Sequence, residues 1–267
     1  MESTTASLRT PDELLAWCAA FAPTLEARAP EAESLRRLPP ETIADLESVG
    51  FFSMLAPASR GGQSFGLGPV AHAARLLAHG CVATAWTASF LALHTWMLTR
   101  FTPQLQEEAF AGRSFVKAPA ALSPTGSLTP CDGGYRLRGR WSWATGVMHA
   151  DWVIVTGLVV SEDALEVRFV ALPRPEVEVD DVWFMAGMKA TGSNDIVADD
   201  LFVPTYRTLD VTALTAEPSA TEDPMSSPPG VLRAPLQPVL VLVSSAPALG
   251  AAERAVGEGF AWDVGVE

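Results

Sequence analysis

Apolar positions recur every three to four residues from about residue 11 to about 110, and from about 114 onward they alternate with polar ones. The first period predicts helices and the second predicts strands. Thr10-Pro11-Asp12-Glu13 reads as a helix start. Threonine caps, proline sits where a missing N–H costs nothing, and Glu13 completes a capping box. Leu14, Leu15, Cys18, Phe21 and Leu25 follow at helical spacing. Pro39-Pro40-Glu41 opens a second helix with Ile43, Leu46 and Val49 on one face and Gly50 as its stop. After a loop at 57–62, Pro69 begins a third helix to about His79, 82–101 forms the most apolar helix, and Pro103 begins another that ends at Phe110, before Gly112. The length of 82–101 suits a membrane span. Thr84, Thr87, Ser89, His94, Thr95, Thr99 and Arg100 inside it suit a buried helix of a soluble helical domain better.

The strand candidates are 114–120, 137–143, 152–160, 165–172 and 195–203, separated by prolines and glycines. Five such strands predict a small β-barrel or sandwich. Asp132-Gly133-Gly134 marks a hairpin turn. After it, Tyr135, Leu137 and Trp141 alternate with Arg136, Arg138 and Arg140, the pattern of a strand with one wet face. Trp152-Val153-Ile154-Val155 is apolar throughout and reads as buried on both faces. Residues 213–238 contain Pro218, Pro224, Pro228, Pro229, Pro235 and Pro238 and read as a linker without regular structure. From Pro247 to Val256 a further helix opens, and the tail with Gly257, Gly259 and Gly265 is a poor continuation of it. The expected organisation is α+β: a helical domain at 1–112, a β-barrel domain at 113–212, the linker at 213–238, and the stump of another helical domain at 239–267.

Composition narrows the chemistry. A net charge of −13 argues against nucleic acid or an anionic membrane as partner. Cys18, Cys81 and Cys131 show neither a disulfide framework nor zinc spacing, and the N-terminus has no signal-peptide apolar stretch, so a reducing cytoplasm is expected. Neither a Gly-x-Gly-x-x-Gly turn nor a P-loop is present, so no dinucleotide Rossmann site is expected. His72 and His79 lack partners at metal-ligand spacing, and His149 reads as a structural part of a turn. Asp180-Asp181 and Asp199-Asp200 read as solvated strand ends.

The stretch with chemical character is Trp143-Ala144-Thr145-Gly146. In extended backbone, residues two apart point the same way. Trp143 and Thr145 then form a flat apolar wall with a hydrogen-bonding group beside it, as a planar heteroaromatic cofactor requires. The alternative is a core tryptophan and a turn-capping threonine. His94, alone on an apolar helix, is either a satisfied core group or a group for proton transfer and substrate contact. Arg233, after the proline-rich stretch, is either a contact for an anionic substrate or a solvated side chain. Ser193, Asn194 and Asp195 cap a turn and a strand end.

Gly139-Arg140-Trp141-Ser142-Trp143-Ala144-Thr145-Gly146, then His149-Ala150-Asp151-Trp152, and then Gly187-Met188-Lys189-Ala190-Thr191-Gly192-Ser193-Asn194-Asp195 occur in this order. Together they resemble segments of the acyl-CoA dehydrogenase superfamily, and in detail its branch of two-component, reduced-flavin-dependent monooxygenases. The loop Pro57-Ala58-Ser59-Arg60-Gly61-Gly62 resembles the one that joins that superfamily's first helices. The resemblance extends over most of residues 10–255. It implies a reduced flavin, FMN or FAD, against Trp143, Ala144, Thr145 and Ser193, with Thr145 near flavin N5. It also implies His94 beside the substrate pocket, a separate flavin reductase as partner, and hydroxylation of a small aromatic or polyketide-like substrate. The family's C-terminal helical bundle covers the flavin, supplies catalytic residues and builds the oligomer, and most of it has no counterpart here. A homo-oligomer or a complementing C-terminal helical chain is therefore expected. An acyl-CoA dehydrogenase acting on an acyl thioester and a non-catalytic relative or interaction subunit are the other functions this resemblance leaves open.

Overall fold

A computed structural model of the chain describes residues 10–160, 165–215 and 234–263. Helix α1 (Pro11–Leu35) starts with the expected capping box, Glu13 N–H donating to Thr10 Oγ1 at 3.2 Å and Thr10 N–H to Glu13 Oε2 at 3.1 Å. Leu14, Cys18, Phe21 and Leu25 form its buried face. Helix α2 (Pro40–Ser48) ends before Gly50, which has φ 76°. Helix α3 (Leu67–Ala78) begins two residues before Pro69, because the third helical residue also has no intrahelical N–H bond to lose. Helix α4 (Val82–Leu98) lies in the middle of the helical core, and α5 (Pro103–Phe110) is capped by Thr102. Two hydroxyls of α4 turn back on the protein: Ser89 donates to Ala85 O, and Thr95 Oγ1 bridges Leu91 O and Val116 O.

The strand-rich part is one mixed sheet of seven strands: β1 (Ala120–Cys131), β2 (Gly134–Ala144), β3 (Trp152–Val160), β4 (Leu165–Pro173), β5 (Glu178–Asp180), β6 (Asn194–Pro204) and β7 (Thr208–Asp210). Their order is β5-β6-β2-β1-β3-β4-β7, with β1 and β3 parallel and every other pair antiparallel. The strand expected at 114–120 is displaced: pairing begins at Ala120 and runs through Pro124, Gly126 and Pro130. Those residues resemble a break, but the register of β1 against β3 jumps between Ala121 and Gly126 and absorbs Pro124, while Pro130 pairs with Tyr135 of β2 in unbroken register. The short edge strands β5 and β7 carry no alternation long enough to read.

Strand β3 over 152–156 and strand β4 over 169–172 are buried on both faces, and their residues alternate between two cores. Ile154, Phe169 and Ala171 join the helical core, while Val153, Val155, Val170 and Leu172 join Leu128, Leu137, Trp141 and Ile196 in the sheet's own core. A single sheet encloses such a set by curling around it. Trp141 is the keystone: it is fully buried, donates from Nε1 to Thr156 O at 2.7 Å, and its ring lies over Gly126 and Gly139. A Cβ on either glycine would fall 2.1 Å or 2.8 Å from that ring.

The region expected as an unstructured linker has helical ends, α6 (Thr212–Thr215) and the start of α7 (Leu236–Asp263), while 216–233 lies outside the described residues. Helix α7 continues past Gly257 and Gly259, against expectation, because extending an existing helix costs far less than starting one. It packs on α3 and α4, where His79 and Arg75 meet Glu253 at 3.0 and 3.3 Å. Among the described residues α7, not α4, has a stretch long and apolar enough to cross a membrane, Leu236–Gly257, with mean hydropathy 1.4 and 28% of it buried.

Candidate functional site

The backbone at Trp143 departs from extended geometry. Trp141 pairs with Ile196 and Ala144 with Asn194, so β2 advances three residues while β6 advances two. The extra residue is a β-bulge, and Trp143 occupies its left-handed position at φ 71°. For a residue with a side chain this conformation costs about 1–2 kcal/mol. The bulge inverts the alternation. Trp141 points inward, Trp143 is 69% exposed, Ala144 is fully buried in the sheet core and Thr145 is half-buried. Trp143 and Thr145 do line one groove, as expected, but the bulge and the turn after it bring them there, not two-residue spacing in extended chain. Ala144, expected at the cofactor, is turned into the sheet core by the same bulge and contributes no side chain to the groove.

The groove has a volume of about 500 Å³ and its lining is mainly apolar. Helix α4 supplies one wall. Trp86, Phe90 and His94 stand four residues apart on one helical face, with ring centroids 4.9 Å apart between the first two and 5.7 Å between the last two. His94 is 2% exposed, and burial pushes its pKa down to about 3, against the opposing effect of a hydrogen bond to the Ala118 backbone. It is therefore a neutral imidazole at pH 7, and its Nδ1 has no partner in the protein. The i, i+4, i+8 ring spacing was present in the sequence and would have added Trp86 and Phe90 to the expected site.

The opposite wall comes from the segment before β6. Trp183 donates from Nε1 to Met188 O at 3.0 Å and faces the groove with Met188. Its loop is held at two points. Asn194 Oδ1 accepts from the backbone N–H of Val182 and Trp183 at 3.0 and 2.9 Å. Arg36, the left-handed cap of α1 with φ 53°, pairs with Asp181, donates to Trp183 O at 3.3 Å and stacks 4.0 Å from the Phe184 ring. Asp180 pairs with Arg140, which also holds the buried Asp195, each at 2.7 Å. Asp180 and Asp181 are exposed at the end of β5, as expected, and they also serve as anchors, whose arginine partners, distant in sequence, gave no local signal. Asp199 and Asp200 are largely solvated, as expected, beside Arg138 and Arg136.

The two sequence segments singled out above are stitched together. Gly146 N–H donates to Thr191 O at 2.8 Å, and Thr145 Oγ1 lies 3.0 Å from Ser193 Oγ. Ser193 Oγ lies 2.8 Å from Thr191 Oγ1, which donates to Met188 O at 2.9 Å. Gly192 permits this turn: it has φ 51°, and a Cβ there would sit 2.8 Å from Arg36 O. Ser193 therefore joins Thr145 at the groove, as expected. His149 forms part of the turn Val147–His149, where burial, with Arg37 and Lys117 nearby, lowers its pKa to about 4. Arg233 lies outside the described residues.

No family model matches the chain. It is 37% identical over 198 residues to the oxygenase subunit HsaA of a flavin-dependent monooxygenase from Rhodococcus jostii (strain RHA1), covering 73% of this chain and 52% of that protein. It is 29% identical over 193 residues to the oxygenase component of an FADH2-dependent resorcinol hydroxylase from Rhizobium sp. (strain MTP-10005), covering 72% of this chain and 47% of that one. The chain thus spans about half the length of the curated relatives it matches. Among solved structures, the HsaA monooxygenase from M. tuberculosis superposes with a TM-score of 0.86 at 33% identity, over 93% of this chain and 68% of that one. A likeness that pervades both the helices and the curled sheet, at one-third identity, leaves little room for another ancestry: the chain belongs to the HsaA-type family of oxygenase subunits of two-component flavin-dependent monooxygenases, within the acyl-CoA dehydrogenase-like fold.

Proposed function

We propose that this chain binds reduced FMN or FAD in the groove and serves as the oxygenase component of a monooxygenase that hydroxylates a small aromatic or polyketide-like substrate. One observation carries the reading: an exposed indole, Trp143, held in a costly backbone conformation beside the hydroxyl of Thr145. Strain kept at a surface tryptophan calls for a ligand that uses its face. The residues fit a tricyclic ring: Trp143 offers the stacking face, and Thr145 with Ser193 offers hydrogen bonding at the ring edge. Bound reduced flavin supplies the activation of dioxygen.

The protein's own part is positioning. The Trp86–Phe90 wall and Trp183 enclose an apolar space that favours a flat ring and excludes water. Neutral His94, with its unpaired Nδ1, suits the acceptor of a phenolic O–H. In this reading residues 1–112 supply the aromatic and histidine wall, 113–212 supply the flavin wall, and 239–267 belong to a further helical unit. The names of the relatives, oxygenase subunit and oxygenase component, support a separate reductase as partner. No carboxylate lines the groove among the described residues, so the acyl thioester dehydrogenase reading finds no base there.

The test is an anaerobic titration with reduced FMN and reduced FAD, followed by tryptophan fluorescence. Since Trp86 and Trp183 also line the groove, the readout is the affinity: a more than tenfold loss in Trp143→Ala supports the reading, and an unchanged affinity in that variant removes its basis. Oxygen-dependent hydroxylation of a panel of phenols, with a separate reductase supplying reduced flavin, then tests turnover.

A further inference from the structure

Helix α4 runs for 17 residues without a single Lys, Arg, Asp or Glu, and it forms one wall of the groove. The facing wall is uncharged too: among the described residues, no Lys, Arg, Asp or Glu lines this space. Basic groups on the surrounding elements are engaged elsewhere. Arg36 is paired with Asp181, Lys117 with Glu47, and Arg140 with Asp180 and Asp195. Lys189 follows Met188 in the chain but does not line the groove. The polar groups that do reach it from this side are hydroxyls, and Thr145, Ser193 and Thr191 already bond to one another at 3.0 and 2.8 Å.

The groove's own imidazole shows how such walls treat a charge. His94 is 2% exposed, and the loss of water outweighs its hydrogen bond to the Ala118 backbone and keeps the ring neutral. A carboxylate carried in by a ligand loses water in the same way, and no cation on these walls takes the water's place. The net charge of −13 adds a long-range field of the wrong sign for an anion. We infer that the groove selects an uncharged aromatic substrate and rejects an aromatic that bears a carboxylate. The inference rests on the flavin reading and narrows its substrate class: the ring to be hydroxylated carries neutral substituents only.

The test uses two pairs of ligands that differ in charge and hardly in shape: 4-hydroxyphenylacetate against 4-hydroxyphenylacetamide, and indole-3-acetate against indole-3-acetamide. Equilibrium dialysis against the chain saturated with reduced FMN, at neutral pH and without oxygen, gives the dissociation constants. In each pair the amide is expected to bind at least tenfold more tightly. Phe90→Arg places a permanent cation on the α4 wall. In that variant the carboxylates are expected to gain at least tenfold in affinity, which a merely damaged site would not do, while Phe90→Met keeps the wild-type preference. Equal affinity within either pair, or tighter binding of a carboxylate than of its amide, overturns the inference while the flavin reading stands. So does a chain that holds reduced FMN and binds none of the four. If reduced FMN itself does not bind, the flavin reading fails and takes the inference with it.

Discussion

Trp141 and Trp143 stand two residues apart on one strand, yet the first is fully buried and the second is 69% exposed. Simple alternation would place both on the same face. The bulge between them separates the roles: Trp141 closes the sheet core and Trp143 opens onto the groove. Replacing Trp143 by glycine should therefore separate binding from folding. Glycine relieves the left-handed strain of about 1 kcal/mol or more but adds backbone entropy of similar size. Stability is expected to stay within about 1 kcal/mol of wild type, while flavin affinity falls more than tenfold, equivalent to about 1.4 kcal/mol. Urea unfolding and flavin titration on the same preparation check both. A collapse of stability with the indole removed would show Trp143 to be structural.

Much of this was legible in the sequence because it is local. The capping box at Thr10, the helix starts at Pro40 and Pro103 and the wet face of β2 each depend on neighbours within a turn or a strand. The groove was legible only in part. Trp143, Thr145, Ser193 and His94 could be named from motifs, and all four line it. The bulge was not visible, since a tryptophan gives no hint of positive φ, and Ala144 was misplaced for that reason. The Arg36–Asp181 clamp joins residues far apart in the chain, which no pattern read along one segment shows.

The tight slot under Trp141 makes a second prediction. A Cβ on Gly126 would lie 2.1 Å from the Trp141 ring, inside a core with little room to shift. Gly126→Ala is expected to destabilise the chain by about 1–3 kcal/mol through overpacking. Chemical denaturation would read this as a lower midpoint at unchanged slope. Equal midpoints would mean that the indole moves aside without cost.

Arg36 offers a third. Its guanidinium pairs with Asp181 and stacks on Phe184, and its backbone caps α1 in the left-handed region. Arg36→Gly keeps the backbone conformation and deletes the clamp. The expected result is faster amide exchange at 182–188, with α1 unchanged, and flavin affinity a few-fold weaker as Trp183 loses its fixed place. Protection at those amides equal to wild type would assign the loop's order to Asn194, the Arg140–Asp180 pair and the Trp183–Met188 bond without Arg36.

The buried histidines predict how stability responds to acid. His94 and His149 are held near pKa 3 and 4 in the folded chain, against an ordinary value of 6.5. Below pH 6.5 the unfolded chain takes up two protons that the folded chain refuses. Their contribution is therefore constant above about 6.5 and is lost as pH falls toward 4, at roughly 3 kcal/mol per pH unit for the pair. By pH 5 the loss is about 4 kcal/mol, comparable with the whole stability of many domains. His94→Gln removes one of the two titrating groups, so its stability between pH 7.5 and 5 should decline about half as steeply as that of wild type, even if it starts lower. Urea midpoints measured across that range decide the matter: parallel curves for the two proteins would mean that His94 is protonated as readily inside the protein as outside it, near the ordinary 6.5 and not near 3.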